Sequence, residues 1–277
     1  MSFKNKRNET VSTIKELMNL TGRRALITGA TGGLGKVMAD TLAELGADLV
    51  LVDRPGSDFE TLAATLIEKW GVNVEHYVCD LELQEQRAEL IALLKKSDKG
   101  LNILINNAAF TGTSDLQGWA VPFEEQTIET WRRALEVNLT AIFDFCQGLT
   151  FLLKVAEGAS IINIASIYGM YGPDWSLYEG TNMSNPAAYN ASKGGLLQFT
   201  RWLATTIAPS VRVNAISPGG VFRNQPEGFV QRYEAKTPLG RMATEDDFRG
   251  IIAFLASDLS KYVTGQNHLV DGGWGVW

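Results

Sequence analysis

A chain of 277 residues is long enough to bury one large α/β core or two small ones, and 45% hydrophobic with 20% charged residues is an ordinary globular composition. The formal net charge is -6 with Lys and Arg scattered along the chain, which leaves phosphate backbones and anionic lipid no basic surface and argues against nucleic acid as a partner. No run approaches the ~20 apolar residues needed to span a bilayer, so no membrane segment is expected.

Residues 1–20, MSFKNKRNETVSTIKELMNL, begin basic but lack an unbroken apolar stretch and a small-residue cleavage site. They read as an appended arm rather than a secretory signal. From there, apolar or β-branched runs at 24–28, 48–53, 74–80, 102–108, 160–166, 211–217 and 267–273 alternate with helical patterns at 34–45, 58–70, 84–96, 126–155, 186–208 and 245–257. Continuous apolar strands separated by helices predict a parallel sheet covered on both faces through right-handed crossovers, an α/β doubly wound fold. No linker, composition shift or internal repeat divides residues 21–277, which predicts a single domain. Cys79 and Cys146 lie far apart inside apolar runs with no metal-ligand spacing. They are expected to be buried free thiols of a cytoplasmic protein, and no metal is expected.

The turn TGATGGLG at 28–35 follows the first strand and opens the first helix, where a glycine-rich turn can cradle a pyrophosphate. Gly29 permits the tight turn, Gly33 lets the backbone approach phosphates, and Gly35 lets the helix pack against the sheet; the free N–H groups of the helix start then face the anion. Such a turn alone is weak evidence, since many serve only as turns. Asp53, ending the second strand 18 residues after Gly35, adds a carboxylate placed to accept hydrogen bonds from ribose hydroxyls. It would also repel a 2′-phosphate, which favours NAD, while Arg54 beside it keeps NADP in play. The bland alternative for Asp53 is a turn residue before Arg54, Pro55 and Gly56.

In NPAAYNASKGG at 185–195, Tyr189 and Lys193 are one helical turn apart. A free phenol with a pKa near ~10 is a poor base, but a cation ~4 Å away at an effective dielectric of ~20 is worth ~4 kcal/mol, roughly three pKa units if desolvation does not cancel it. Tyr168, Tyr171 and Tyr178 have no lysine at that spacing. A Tyr/Lys pair is common on solvated helices, so its weight comes from company. Ser166 ends the fifth strand, where ligands bind in open α/β sheets; its alternative is to cap a turn. Asn138, polar within an apolar helical run, is either a satisfied structural amide or the holder of a water linking Lys193 to solvent.

TGATGGLG, NNAA at 106–109, Asn138, Ser166, YNASK at 189–193, SPGG at 217–220 and DGG at 271–273, in this order, resemble the short-chain dehydrogenases/reductases, over roughly residues 21–277. More narrowly they resemble the branch in which a single Rossmann domain holds cofactor and active site. The resemblance implies Tyr189 as acid/base, Lys193 as the residue that binds the nicotinamide ribose and lowers the Tyr189 pKa, Ser166 as the residue orienting substrate, and Asn138 as support for a proton relay. It further implies a cofactor set of Gly29, Thr31, Gly33, Leu34, Gly35, Asp53, Arg54, Asp80, Leu81, Asn107, Ala108, Ala109, Tyr189, Lys193, Pro218, Gly219 and Val221. Asp80 would meet adenine, and Asn107 would steady the central sheet. A homo-oligomer, tetramer or dimer, is implied partly through the two longest helices.

The chain departs from that pattern in two places. Ser166 and Tyr189 are 23 residues apart where the family has about a dozen, so a loop near 171–184 is expected to carry Asp174, Trp175, Tyr178, Glu179 and Asn182 over the site. Aromatic faces beside amides and carboxylates suit a polyhydroxylated substrate, and packing on a neighbouring subunit is the alternative. Arg223 stands where many relatives have Thr, and 222–240 reads as a flap offering Arg223 and Arg232 to an anionic group. IYGMYGPDWSLYEGTNMSNPAAY and SPGGVFRNQPEGFV also resemble family members associated with nonulosonic-acid surface glycans. The expectation is an NAD(P)-dependent oxidoreductase interconverting a secondary alcohol and a ketone on a sugar-like or sugar-acid small molecule. A reductase of a non-carbohydrate ketone and a silent nucleotide sensor are the alternatives. An extended-branch epimerase or dehydratase would need more chain than the 60 residues after Ser217.

Overall fold

The computed structural model describes residues 11–97, 99–111 and 116–277. Seven parallel strands form one sheet: β1 Arg24–Thr28, β2 Asp48–Asp53, β3 Val74–Val78, β4 Ile103–Asn106, β5 Ala159–Ile164, β6 Val211–Pro218 and β7 Asn267–Val270, in the order β3-β2-β1-β4-β5-β6-β7. Alternation within β1, β2 and β4 explains why the interiors of those runs are apolar, whereas the edge strands β3 and β7 hold no buried residue. Ala25, Ile27, Leu49, Leu51, Ile103 and Ile105 join one core with Met38, Leu66 and Ile252, while Leu26, Val50, Val52 and Leu104 join the other with Leu94, Phe145 and Leu203. The sheet is therefore buried on both faces, as a doubly wound single domain requires.

Around it lie α1 Ile14–Met18, α2 Gly33–Glu44, α3 Phe59–Trp70, α4 Gln84–Lys96, α5 Ile128–Leu135, α6 Ala141–Val155, α7 Ala187–Ile207, α8 Glu227–Lys236 and α9 Arg249–Ala256. In the expected arm, residues 1–10 lie outside the described residues, and α1 buries no side chain. It is closed by a capping box between Thr13 and Glu16. The expected helix over 126–155 is interrupted by a π-helical stretch, Glu136–Thr140, which contains Asn138. The expected flap over 222–240 holds a helix instead: α8 buries Phe229 and Tyr233 in a small cluster with Leu177 and Met242. That pattern escaped a periodicity argument because the residues α8 packs against come from distant loops.

Strand order reverses between β1 and β4, so the connections leave the sheet in opposite directions there and open a crevice at the carboxyl ends of the strands.

Candidate active site

The crevice is a cleft of about 1580 Å³ that runs from the glycine turn to the N-terminal part of α7. Its first wall is set by close packing. A Cβ on Gly35 would lie 2.1 Å from the Gly29 carbonyl oxygen, so only glycine lets α2 start this close to β1. Gly29 adopts φ 63° and presses against the Ala108 backbone, where a Cβ would come within 2.8 Å. Asn107 donates from Nδ2 to the carbonyls of Thr28 and Gly29, both at 3.0 Å, tying the segment after β4 to the turn. The turn is a cradle that side chains would fill, which is what close approach of a pyrophosphate demands.

Asp53 closes one side of the cleft. Its Oδ2 accepts from the Thr31 N–H at 2.9 Å and hydroxyl at 2.7 Å, and its Oδ1 accepts from the Arg54 N–H at 2.8 Å. Oδ2 is thereby saturated while Oδ1 keeps a free lone pair, so the carboxylate fits as an acceptor for a ribose hydroxyl. Asp80 accepts from the Glu82 N–H at 3.0 Å through its side chain and holds the turn that carries Leu81 into the cleft.

At the other end, Lys193 is 1% exposed. Its Nζ donates to the Ile164 carbonyl at 2.8 Å and lies 5.8 Å from the centroid of the Tyr189 ring. Burial pulls the Lys193 ammonium down to about 8. Burial also raises the Tyr189 phenol above its ordinary value; the Ser166 hydroxyl works against that rise, and the neighbouring Tyr178 phenol adds to it. The expected lowering of Tyr189 by Lys193 is therefore not found. Desolvation of the phenolate dominates, and the ammonium gives its hydrogen bond to a backbone carbonyl rather than to the phenol.

Ser166 lies two residues beyond β5, caps the following 3-10 turn through the Tyr168 N–H at 3.1 Å, and still faces Tyr189. Asn138 is fully buried. Its Oδ1 accepts from the Phe110 N–H at 2.6 Å, and its Nδ2 donates to the Phe110 carbonyl at 3.2 Å and the Ser192 hydroxyl at 3.0 Å. Of the two alternatives the sequence left open, the side chain is the satisfied structural amide, and it anchors the helix bearing Tyr189 and Lys193. The competing phenols are engaged with each other: Tyr168 and Tyr178 share a hydrogen bond of 2.7 Å, Asn185 donates to Tyr178 at 3.3 Å, and Tyr171 packs on Trp274.

Every cofactor residue expected from the sequence lines this one cleft, as do Ser166, Tyr189 and Lys193; Asn138 lies behind it. The loop at 171–184 behaves differently from expectation. Met183, rather than the five polar and aromatic residues singled out, reaches the cleft wall. The loop is fastened to α8, with the Arg232 guanidinium donating to the carbonyls of Leu177 at 2.9 Å and Glu179 at 2.6 Å, and Lys236 pairing with Asp174. Arg232 is thus spent on the loop and is not free for an anionic group. Sequence reasoning also missed Lys36, Phe110, Arg133 and Gln225 in the lining. Lys36 had a signal, since it follows Gly35 in the first turn of α2. Arg133 had none, because its partners Glu82, at 2.6 Å, and the Phe110 ring, at 4.9 Å, come from other elements.

Comparison with known proteins agrees with this geometry. Residues 29–275 match the family model described as enoyl-(acyl carrier protein) reductase. The chain is 29% identical to the 3-oxoacyl-[acyl-carrier-protein] reductase of Aquifex aeolicus over 92% of its own length and 98% of that protein's. Among solved structures it superposes on a short-chain dehydrogenase from Leptospira borgpetersenii with bound NAD+ (TM-score 0.80, 32% identity, 98% and 99% of the two chains). It also superposes on a gluconate 5-dehydrogenase from Burkholderia cenocepacia in complex with NADP and tartrate (TM-score 0.83, 28% identity, 96% and 100%). Among the described residues, no helix is long and apolar enough to cross a membrane, and no cluster of His, Cys, Asp and Glu suits a metal.

Proposed function

The chain belongs to the short-chain dehydrogenases/reductases and is an NAD(P)-dependent oxidoreductase of that family; from this premise we propose that it interconverts a secondary alcohol and a ketone on a sugar-like or sugar-acid substrate, with NAD preferred. The observation that carries the reading is the convergence of Tyr189, Lys193 and Ser166 in the same cleft as the glycine turn and Asp53.

In this reading the N–H groups of Gly33 to Gly35 hold the pyrophosphate, with Gly29 and Thr31 shaping the turn. Asp53 takes the adenine ribose hydroxyls and disfavours a 2′-phosphate, with Arg54 beside it. Among the residues lining the cleft, Asp80 and Leu81 would flank adenine, Asn107, Ala108 and Ala109 would form the floor, and Pro218, Gly219 and Val221 would border the nicotinamide. Bound nicotinamide supplies the hydride chemistry. The protein supplies the proton: Tyr189 gives it to, or takes it from, the substrate oxygen, and Ser166 hydrogen-bonds that oxygen and orients it. Lys193 places a cation beside Tyr189 and the nicotinamide ribose. Asn138 supports the relay by fixing α7 through Ser192, whose hydroxyl donates to the Tyr189 carbonyl at 2.8 Å.

A polyhydroxylated substrate is supported by the likeness to a gluconate 5-dehydrogenase in complex with NADP and tartrate. Association into a dimer or tetramer is supported by an aromatic strip on the two longest helices, where Phe143, Phe151 and Trp202 are 41%, 70% and 56% exposed. The buried free thiols of Cys79 and Cys146 suit a cytoplasmic protein, and the arm proposed for residues 1–20 joins the domain proposed for 21–277 through Leu20, which is fully buried in its core.

The test is to mix the purified protein with NADH and NADPH separately and follow loss of reduced-nicotinamide absorbance across ketosugars, keto sugar acids, alicyclic ketones and steroid ketones. Turnover with a ketosugar or keto acid and NADH is the expected outcome. Tight binding without turnover on any panel member would point to a sensor and overturn the reading, and selective turnover of alicyclic or steroid ketones would overturn the substrate class.

A further inference from the structure

One feature of the cleft is built from residues that the proton and hydride chemistry does not use. The outer face of Gly33 is covered by an ion pair: a Cβ on Gly33 would fall 2.7 Å from an Arg223 guanidinium nitrogen and 2.8 Å from the Glu245 carboxylate, and those two groups meet at 2.7 Å. Arg223 comes from the turn after β6, and Glu245 from the 3-10 turn that leads into α9. An isolated parallel bridge between Val221 and Ala243 holds the two segments side by side. The turn itself is forced: Asn224 adopts φ 57°, the left-handed region that Asn tolerates, and the Gln225 side chain accepts from the Arg223 N–H at 2.6 Å while donating to the Val221 carbonyl at 2.9 Å. This arrangement delivers the Arg223 head group onto the phosphate turn.

We propose that Arg223 is a ligand of the dinucleotide pyrophosphate and that Glu245 is its resident counter-ion, competing with the pyrophosphate for the same guanidinium. The proposal rests on the reading of the cleft as a dinucleotide site. A guanidinium offers planar paired donors that match phosphate oxygens, and here it stands beside the helix N–H groups that face the same anion. Glu245 places a second negative charge against that turn, where it opposes the cofactor. The side chains are 44% and 33% exposed, so the pair is a modulator of affinity rather than a pillar of the fold.

The two residues should then act with opposite signs. Calorimetric titration with NADH and with ADP-ribose, which keeps the pyrophosphate but lacks nicotinamide, reads both effects without turnover. Arg223→Gln is expected to weaken both ligands by about 10-fold and to flatten the salt dependence of binding; Glu245→Gln is expected to tighten both by about 3-fold. Both variants should melt within a few degrees of the wild type. Equal affinities in Arg223→Gln and wild type would overturn the assignment of Arg223. Weakening by Glu245→Gln comparable to that of Arg223→Gln would mark the pair as merely structural and overturn the competition. A wild type that binds neither NADH nor NADPH overturns the dinucleotide reading itself, an outcome distinct from the first two.

Discussion

Lys193 shows most directly what burial does to a charge in this protein. Its folded pKa of about 8 lies below the ordinary 10.5, so between those values the unfolded chain holds more protons than the native one. Stability therefore rises with pH across that window: the ammonium is penalised below pH 8, and the penalty, of order 3 kcal/mol, is relieved as the amine neutralises. Urea unfolding of the wild type and Lys193→Met should show the wild type gaining on the variant from pH 8 to 10; parallel curves would contradict the buried ammonium. Tyr189 is shifted the other way, upward, so the phenol stays protonated at neutral pH. Ketone reduction, which needs the phenol, should hold through neutrality, while alcohol oxidation, which needs the phenolate, should climb with alkaline pH; a pH–rate profile in each direction checks this. That Tyr189 and Lys193 share one helix and one cleft was legible because a helical spacing of four is a local property. The direction of the Tyr189 pKa was not, since desolvation depends on groups far away in sequence. The fate of Asn138 was hidden for the same reason: its partner Phe110 lies 28 residues upstream.

The phosphate turn is the element on which the cleft depends, and its tightest point is Gly35. Placing a methyl 2.1 Å from the Gly29 carbonyl forces β1 and α2 apart, so Gly35→Ala should reduce NADH affinity by at least about 100-fold and cost about 2–4 kcal/mol of stability. Calorimetry and thermal melts measure both, and normal NADH binding would contradict the close-approach argument. The loop at 171–184 and α8 form a second unit. Arg232→Ala removes its three hydrogen bonds to two loop carbonyls and should speed limited proteolysis within that loop severalfold while leaving NADH affinity intact. The strands were legible because a sheet covered on both faces needs uninterrupted apolar runs, which stand out between Gly, Asn and Asp. Helix α8 was not, because its apolar residues are few and its packing partners Leu177 and Met242 belong to other segments.

For the whole molecule, strand alternation and motif order in the sequence anticipated the parallel sheet, its single domain and a ligand cleft at the carboxyl ends of the strands; the strand order was not anticipated. The proposed association of copies rests on aromatic side chains that the fold leaves exposed. Phe143 packs on Phe199, whose ring stacks on Trp202, forming an exposed strip across α6 and α7. Sedimentation should find a dimer or tetramer, and Phe151→Glu with Trp202→Glu should release monomers; a monomeric wild type would contradict this use of the strip. The central claim is that one cleft binds the dinucleotide and moves the proton, with Tyr189 responsible for the second task alone. It is tested most directly by measuring NADH affinity and single-turnover ketone reduction in wild type and Tyr189→Phe side by side. The account predicts affinity unchanged within about 2-fold and a rate lower by at least about 1000-fold. A variant that reduces ketone at the wild-type rate would contradict it.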